Sequence, residues 1–305
     1  MIVRLLGSAA GGGFPQWNCG CANCDAVRRG RPGFQPRREF CVAFSADGIR
    51  WFLIEAPADI RSHVEAFAPL QSRLGTRNSP IEGILLTGAD LDQSLGLFTL
   101  REGPGMIVHA TPSVRSSLTA GLNLVDAMGC YSGIDWREPP GRFAPLMYSD
   151  FCTSGLLYSV FALGGKTPRY LNDRATENIA DRVGLRICDE TTGGRLVVVP
   201  GLSRLDRDIL AEFESSDALL IDGTFWSDDE LCRIQPGSQR AVGMGHLPVG
   251  GPDGSLAILS RLAVPRKIYI HINNTNPMLR EDSVECQQVR SAGMEVGMDG
   301  CQFSI

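Results

Sequence analysis

Three cysteines lie close together near the start of the chain, in the stretch WNCGCANC. Cys19, Cys21 and Cys24 have the spacing C-x-C-x2-C, so three thiolates can converge on one tetrahedral zinc. The alternative is three free cysteines in a loop. A closed, thiolate-rich zinc site is usually structural, because catalysis needs an open coordination position. We therefore predict a structural zinc, with a fourth ligand that could be a distant Cys, His, Asp or Asn.

Four other stretches carry side chains that bind metals, and in three of them a short apolar run ends at the polar residue or a few residues before it. Rigid strands commonly deliver functional side chains to one edge of a sheet in this way. The candidates are Asp90, Asp92 and Gln93 in TGADLDQ, Asp222 in LLIDGTFW, His246 in GMGHLPVGG and His271 in IYIHINN.

Each candidate also has a purely structural interpretation. Asp90 can cap a helix that starts near Leu91. Asp222 can belong to a turn with the glycine that follows it, and a lone His271 can bond to the backbone. Asp92 stands where a cap is already available, so a ligand role is favoured there. The recurring pattern makes the set more persuasive than any one member.

The elements that must position these residues alternate between strands and helices. Asp47-Gly48 separates two apolar runs and predicts a β-hairpin. The stretch PADIRSHVEAFAPL has Ile60, Val64 and Phe67 on one face and predicts a helix with Asp59 as its N-cap. Such a mixture favours an α/β protein with two sheets and helices outside them. No repeat or low-complexity linker is evident, so one domain spanning residues 1–305 is expected.

Composition narrows the functional classes. The 305 residues are 43% hydrophobic and carry a net charge of −5, which disfavours nucleic-acid binding. The chain contains no stretch of 18 or more consecutive apolar residues, so no membrane span is predicted. The N-terminal apolar run is short and lacks a basic region, so we expect a cytoplasmic protein with reduced thiols.

The stretch TGADLDQ (87–93) resembles the first metal-binding motif of the metallo-β-lactamase superfamily, which reads T-H-x-H-x-D-H. Aligned on Thr87, Asp92 matches the aspartate of the motif. Gly88, Asp90 and Gln93 stand where the three histidines would be.

Longer matches resemble one branch, the coenzyme PQQ synthesis protein B family, along the whole chain. They are LGSAAGGGFPQWNCGCANC (6–24), LGLFTLREG (95–103), DGTFWSDDE (222–230), MGHLPVGG (244–251) and HINNTNP (271–277).

The resemblance implies a metallo-β-lactamase-like αββα sandwich of two mixed β-sheets flanked by helices, with a zinc-binding loop near residues 18–25. It implies an Fe2+- and O2-dependent step in pyrroloquinoline quinone (PQQ) biosynthesis, the hydroxylation of the tyrosine-derived ring of a Glu–Tyr precursor. Three alternatives remain: a carrier that assists transport of PQQ or its precursor to the periplasm, a metal-dependent hydrolase, and a divergent paralogue. A homodimer is considered as the assembly.

Within that resemblance, Asp92 and His271 are expected to bind the iron, with Asp222 bridging or completing the set. Asp90 and Gln93 are placed at the same site. Few imidazoles and several carboxylates favour a hard or borderline divalent ion with positions open for O2 and substrate.

Three further residues receive roles outside the ligand set. His246 is expected to move a proton near pH 7. The precursor carries several carboxylates, so Arg101 or Lys166 is expected to orient it.

The chain departs from the family pattern at several places. Gln93 stands where a histidine is usual, and a glutamine is a neutral, weak oxygen ligand. Glu55 stands where an asparagine is usual, and RREFCVAF (37–44) replaces a more polar stretch. These changes favour a divergent paralogue or a member with reduced activity as the alternatives.

Overall fold

The computed structural model describes residues 1–103, 105–164, 167–174 and 177–305, with the backbone alone at 172–174. Lys166, one of the two cations expected to orient the substrate, lies outside the described residues.

Within these ranges the strands form two seven-stranded sheets. The strands are β1 (Ile2–Gly7), β2 (Cys41–Ser45), β3 (Trp51–Ile54), β4 (Ile81–Leu85), β5 (Met106–His109), β6 (Ile134–Arg137), β7 (Ala144–Met147), β8 (Thr153–Ala162), β9 (Val183–Asp189), β10 (Arg195–Val199), β11 (Ala218–Asp222), β12 (Arg266–Ile270), β13 (Glu295–Val296) and β14 (Gln302–Ser304).

Helices lie between the strands. The α-helices are α1 (Ala22–Arg28), α2 (Ile60–Ala66), α3 (Leu91–Ser94), α4 (Gly96–Thr99), α5 (Pro112–Leu122), α6 (Leu124–Gly129), α7 (Arg207–Phe213), α8 (Glu230–Ile234), α9 (Ser255–Leu259) and α10 (Val284–Ser291). Short 3-10 helices lie at Ala68–Leu70, Leu100–Glu102, Arg169–Arg174, Val242–Met244 and Pro277–Leu279. In the described part of the chain, no helix has the length and apolar character to cross a membrane.

The chain forms two compact units. The first comprises Met1–Leu6, Cys41–Arg195 and Gly300–Ile305, and the second comprises Gly7–Phe40 and Leu196–Asp299. The prediction of a single domain stays a prediction.

The first unit contains the sheet ordered β14-β1-β2-β3-β4-β5-β6. Strands β2 and β3 are antiparallel around the predicted Asp47-Gly48 turn, and Gly48 adopts the left-handed backbone (φ +75°) that the turn requires. Strands β3 to β6 pair in parallel, so this sheet is mixed. The predicted helix is α2, but the carboxylate of Asp59 lies 2.8 Å from His63 Nε2 and does not cap the backbone.

The second sheet is mixed as well, which confirms the predicted fold class. Its strands β7, β8 and β9, in the first unit, are antiparallel. Its strands β10 to β13 are parallel and lie in the second unit. Every residue of β11 is buried, which explains its continuous apolar sequence. Because parallel strands end at the same edge, β11 and β12 deliver the residues that follow them to one place.

Candidate metal centres

Asp222 and His271 meet because of the strand register. Asp222 ends β11 and pairs with Ile270, so His271 is the first residue beyond β12 at the same edge. His271 has a left-handed backbone (φ +54°), a conformation that costs about 1–3 kcal/mol for a non-glycine residue and clusters at functional sites. The surrounding contacts must therefore hold it.

His246 reaches the same edge from a loop. The 3-10 helix Val242–Met244 ends at Gly245, whose left-handed backbone (φ +89°) favours glycine. The N–H of His246 then donates to the carbonyl of Ala241 at 3.0 Å. This local turn directs the histidine back toward the strand ends.

Asp222, His246 and His271 form a compact cluster, which we call the histidine centre. One potential ligand atom from each lies within 4.8 Å of the others. His246 Nδ1 is 2.7 Å from Asp222 Oδ2, and the two imidazole rings stack with centroids 5.5 Å apart. The structure brings His246 into ligand distance, although the sequence suggested a proton-transfer role for it.

Thr224 fixes the orientation of His271. Its hydroxyl oxygen lies 2.8 Å from His271 Nδ1 and 2.6 Å from Asp222 Oδ1. When an oxygen accepts the Nδ1 proton of a histidine, Nε2 is left as the metal-binding atom. The same logic applies to His246, whose Nδ1 is held by Asp222. No sequence pattern predicts this role for Thr224, although the residue lies in the stretch LLIDGTFW that carries Asp222.

Asp222 is ionised and fully hydrogen-bonded. Burial would raise its pKa, but the charge and hydrogen bond of His246, the charge of His271 and the Thr224 hydroxyl together lower it. Its oxygens also accept N–H bonds from Leu202 at 2.8 Å and Thr224 at 3.0 Å. The four bonds engage both oxygens, so Asp222 holds the imidazole of His246 directly and that of His271 through Thr224. Its role as a direct ligand stays a prediction.

Replacing Thr224 with valine should weaken metal binding at the histidine centre about 10- to 100-fold, the usual cost of losing a partner that orients a ligand. Valine keeps the branched shape and removes the hydroxyl that holds His271 and Asp222. Anaerobic titration with Fe2+ measures the affinity. Thr76→Val, which changes the same atoms on an exposed loop, is the control. Equal affinities in the two variants would contradict the role.

The three cysteines lie together as the sequence predicted. Cys21 stands at the N-cap of α1, and the N–H of Cys24 points to its sulfur at 3.5 Å. The sulfurs of Cys19, Cys21 and Cys24 lie within 4.8 Å of one another. Tetrahedral zinc with Zn–S bonds of about 2.3 Å places sulfurs about 3.8 Å apart, so the arrangement fits a zinc ion.

Asn274 stands at the open corner of this cysteine cluster. Its amide nitrogen lies 3.0 Å from the sulfur of Cys19, 3.3 Å from that of Cys24 and 3.7 Å from that of Cys21. Its side chain is buried. Turning the amide over exchanges nitrogen and oxygen, which presents Oδ1 to a metal held by the sulfurs. Asn274 is thus the residue placed to close the coordination shell that the sequence left open.

The thiols of the cysteine cluster differ in acidity. Burial alone would raise the pKa of Cys19, but hydrogen bonds from Cys21, Cys24 and Asn274 lower it overall. Burial raises the pKa of Cys24 to about 12. Cys19 therefore reaches the thiolate form, which is the form that binds metals, at a lower pH than Cys24.

In the first unit, the side-chain amide of Gln93 takes part in a buried hydrogen-bond network. Gln93 Oε1 accepts from the N–H of Asp90 at 3.0 Å, and Nε2 donates to Thr87 at 3.1 Å and Glu55 at 3.3 Å. Burial raises the pKa of Glu55 well above its usual range, against hydrogen bonds from Thr87. Both ends of the Gln93 amide are therefore engaged, and its role as a metal ligand stays a prediction.

The remaining candidates also have structural partners. Asp90 occupies the N-cap position of α3, as its structural interpretation predicted, and its Oδ2 accepts from Arg182 at 2.9 Å. Asp92 lies in the first turn of α3. Arg101 is exposed and lies 3.4 Å from a carboxylate oxygen of Glu102. The metal and substrate roles of these residues stay predictions.

Glu230 is a buried acid that connects the stretch DGTFWSDDE (222–230) to the stretch HINNTNP (271–277). It accepts the N–H of Trp226 at 2.6 Å and the hydroxyl of Thr275 at 2.5 Å. Burial raises its pKa from 4.5 to about 7, although both hydrogen bonds oppose the shift. Folding therefore takes up a proton between these two values, and stability is lost as pH rises through the window.

Replacing Glu230 with glutamine should flatten the pH dependence of folding. The variant should gain up to about 3 kcal/mol relative to the parent chain between pH 4.5 and pH 8, because the unfavourable ionisation is removed. Urea denaturation at both pH values with zinc present measures the difference. The exposed Glu65→Gln serves as the control. Parallel pH profiles for the parent chain and Glu230→Gln would show that Glu230 ionises normally.

Fold and site together define a member of the metallo-β-lactamase class. The model of a family described as the beta-lactamase superfamily domain matches residues 50–272. Solved structures with the same fold include a diphosphatase of the PhnP family (TM-score 0.66, 17% identity, 100% of this chain and 97% of that chain covered). Another is the short form of human tRNase Z (TM-score 0.57, 14% identity, 100% of this chain and 99% of that chain covered).

Relatives with higher identity narrow the class. Coenzyme PQQ synthesis protein B from Pseudomonas putida is 40% identical, and its counterpart from Pseudomonas syringae is 38% identical, each over 100% of both chains. The crystal structure of Zn2+-bound PqqB from Methylobacterium extorquens matches with a TM-score of 0.90 and 36% identity, again over 100% of both chains. The chain belongs to the coenzyme PQQ synthesis protein B family, which confirms the resemblance noted in the sequence.

Proposed function

We propose that the chain acts in PQQ biosynthesis as an Fe2+- and O2-dependent hydroxylase of the tyrosine-derived ring of a Glu–Tyr precursor. The observation that carries the proposal is the convergence of two imidazoles and one carboxylate in the histidine centre. Two histidines and a carboxylate are the donors used by non-haem Fe2+ oxygenases, which keep positions open for O2. Membership of the family supports the pathway.

Two different metals are assigned to the two clusters. Zinc is proposed at the cysteine cluster, because three sulfurs and one amide make a closed, thiolate-rich shell. The Zn2+-bound relative from Methylobacterium extorquens supports zinc binding in this family. Iron is proposed at the histidine centre, where it would supply the activation of O2.

The side chains around the histidine centre prepare it for such a metal. Asp222 keeps its negative charge and holds His246 by Nδ1. The ring of Phe40 stands edge-on to His271 with centroids 6.4 Å apart, and Phe225 stands edge-on to His246 at 6.0 Å. These aromatic edges restrict the movement of the two imidazoles. Ligand groups held in this way lose less freedom when a metal binds.

The proposal also covers how the precursor is bound and how many copies of the chain assemble. Arg101 is exposed and is proposed to bind a carboxylate of the precursor; its guanidinium now contacts Glu102 and the carbonyl of Phe98. A homodimer is proposed as the assembly.

Oxygen uptake tests the proposal. Anaerobic loading should give one iron per chain at the histidine centre, and a Glu–Tyr-derived precursor should then trigger O2 consumption. An absence of turnover at full iron occupancy would overturn the hydroxylase. Tight PQQ binding by metal-free protein without turnover would favour the carrier. Cleavage of generic phosphodiesters that scales with added zinc or manganese would favour the hydrolase.

A further inference from the structure

One short stretch of chain joins the cysteine cluster to the histidine centre. His271 begins the stretch, the side chain of Asn274 reaches the three sulfurs, and Asn276 ends it. All of these residues belong to the second unit. Only two residues separate His271 from Asn274, so the two clusters share one segment of backbone.

Asn23 binds the far end of this stretch to the cysteine loop. It lies between Cys21 and Cys24, and its Nδ2 donates to the carbonyls of Asn274 at 3.1 Å and Asn276 at 3.0 Å. These two hydrogen bonds connect the cysteine loop to the backbone at 274–276.

Asn276 binds the stretch to the end of β11. Its side chain is 0% exposed, and its Nδ2 donates to the carbonyls of Gly223 at 3.0 Å and Thr224 at 3.3 Å. Its Oδ1 accepts from the N–H of Met278 at 3.0 Å. The backbone at Gly223 is tightly packed, because an added Cβ there would lie 2.8 Å from Tyr269. The amide of Asn276 therefore fixes the position of Thr224.

We propose that Asn276 is a positioning residue for the histidine centre, and that a metal at the cysteine cluster acts on that centre through it. The metal would fix the cysteine loop with Asn23, Asn23 holds Asn276, and Asn276 holds Thr224 against His271. Asn276 belongs to neither ligand set. The inference rests on the proposed function only in taking the histidine centre as a metal site.

Cobalt titration tests the coupling without any turnover. Co2+ bound by thiolates gives charge-transfer absorption, whereas Co2+ bound by imidazoles and carboxylates gives weak visible bands. With zinc at the cysteine cluster, Asn276→Ala should weaken Co2+ binding at the histidine centre about tenfold, within the usual range for coupled sites. Asn273→Ala is the matched control, because among the described residues its side chain hydrogen-bonds to Thr275 alone, within the same loop. It should leave the affinity unchanged.

A double-variant cycle with Cys21→Ser separates coupling from general loosening. Cys21→Ser should also weaken Co2+ binding about tenfold in the parent chain, yet should add nothing in the Asn276→Ala background. Losses that multiply in the double variant would overturn the proposal. So would equal effects of Asn276→Ala and Asn273→Ala.

If Cys21→Ser does not fold, a reciprocal measurement tests the coupling between the two clusters. Linkage requires that Co2+ at the histidine centre raise the chelator concentration needed to remove zinc from the cysteine cluster by the same factor, about tenfold. The increase should be present in the parent chain and absent in Asn276→Ala. No increase in the parent chain would overturn the coupling, whereas a failure of O2 consumption would count only against the hydroxylase.

Discussion

His271→Asn should abolish metal binding at the histidine centre and, with it, O2 consumption. Asparagine tolerates the left-handed backbone (φ +54°) that His271 adopts, so the substitution removes the imidazole with little added strain. The centre then keeps one imidazole and a carboxylate whose oxygens are already hydrogen-bonded. The loss of affinity should exceed the roughly 100-fold upper end of the cost of removing an orienting partner.

Iron stoichiometry after anaerobic loading and substrate-dependent O2 uptake measure this loss. His63→Asn is the control, because His63 is fully buried in α2 of the first unit and outside both clusters. It should lower the melting temperature and leave the iron stoichiometry unchanged. If His271→Asn retains one iron per chain, the histidine centre is not the metal site.

Cys21→Ser should release zinc and lower the free energy of unfolding by several kcal/mol, because the binding energy of a structural metal contributes directly to folding. Cys21 is buried at the N-cap of α1, where its sulfur faces both Cys24 and the backbone of Asn274. Without the metal, the loop, the start of α1 and the stretch ending at Asn276 lose a common anchor. The effect should therefore exceed the cost of one hydrogen bond, about 1 kcal/mol.

Zinc content and urea denaturation measure this effect, after a mild chelator has removed metal from the histidine centre. Cys130→Ser changes an exposed thiol on the first unit and should alter neither quantity. A Cys21→Ser chain that lacks zinc but unfolds at the parent urea concentration would show that the cysteine cluster is not a structural site.

Local patterns predicted much of the fold. The Asp47-Gly48 hairpin and α2 follow from turn chemistry and helical periodicity, which depend on neighbours in sequence. The ends of β11 and β12 are visible in the sequence because buried apolar residues lead up to Asp222 and His271. The three cysteines could be grouped because their spacing is short enough to allow only nearby positions.

Residue types alone did not determine which polar groups work together. Gln93 could be marked as a departure from the family pattern, but its hydrogen bonds to Glu55 and Thr87 depend on how β3, β4 and α3 pack. Thr224 likewise acquires its role only because β11 and β12 are adjacent and in register.

By itself, the sequence determined the family, through motifs that match along the whole chain, and the two-sheet class, through its alternating strand and helix patterns. It also grouped the three cysteines, through their short spacing. The tertiary structure alone placed Asn274 at that cluster, 255 residues along the chain from Cys19. It also joined the cluster to the histidine centre through Asn276. Contacts between such distant residues depend on the packing of whole strands, since closing so long a loop leaves no local pattern in the sequence.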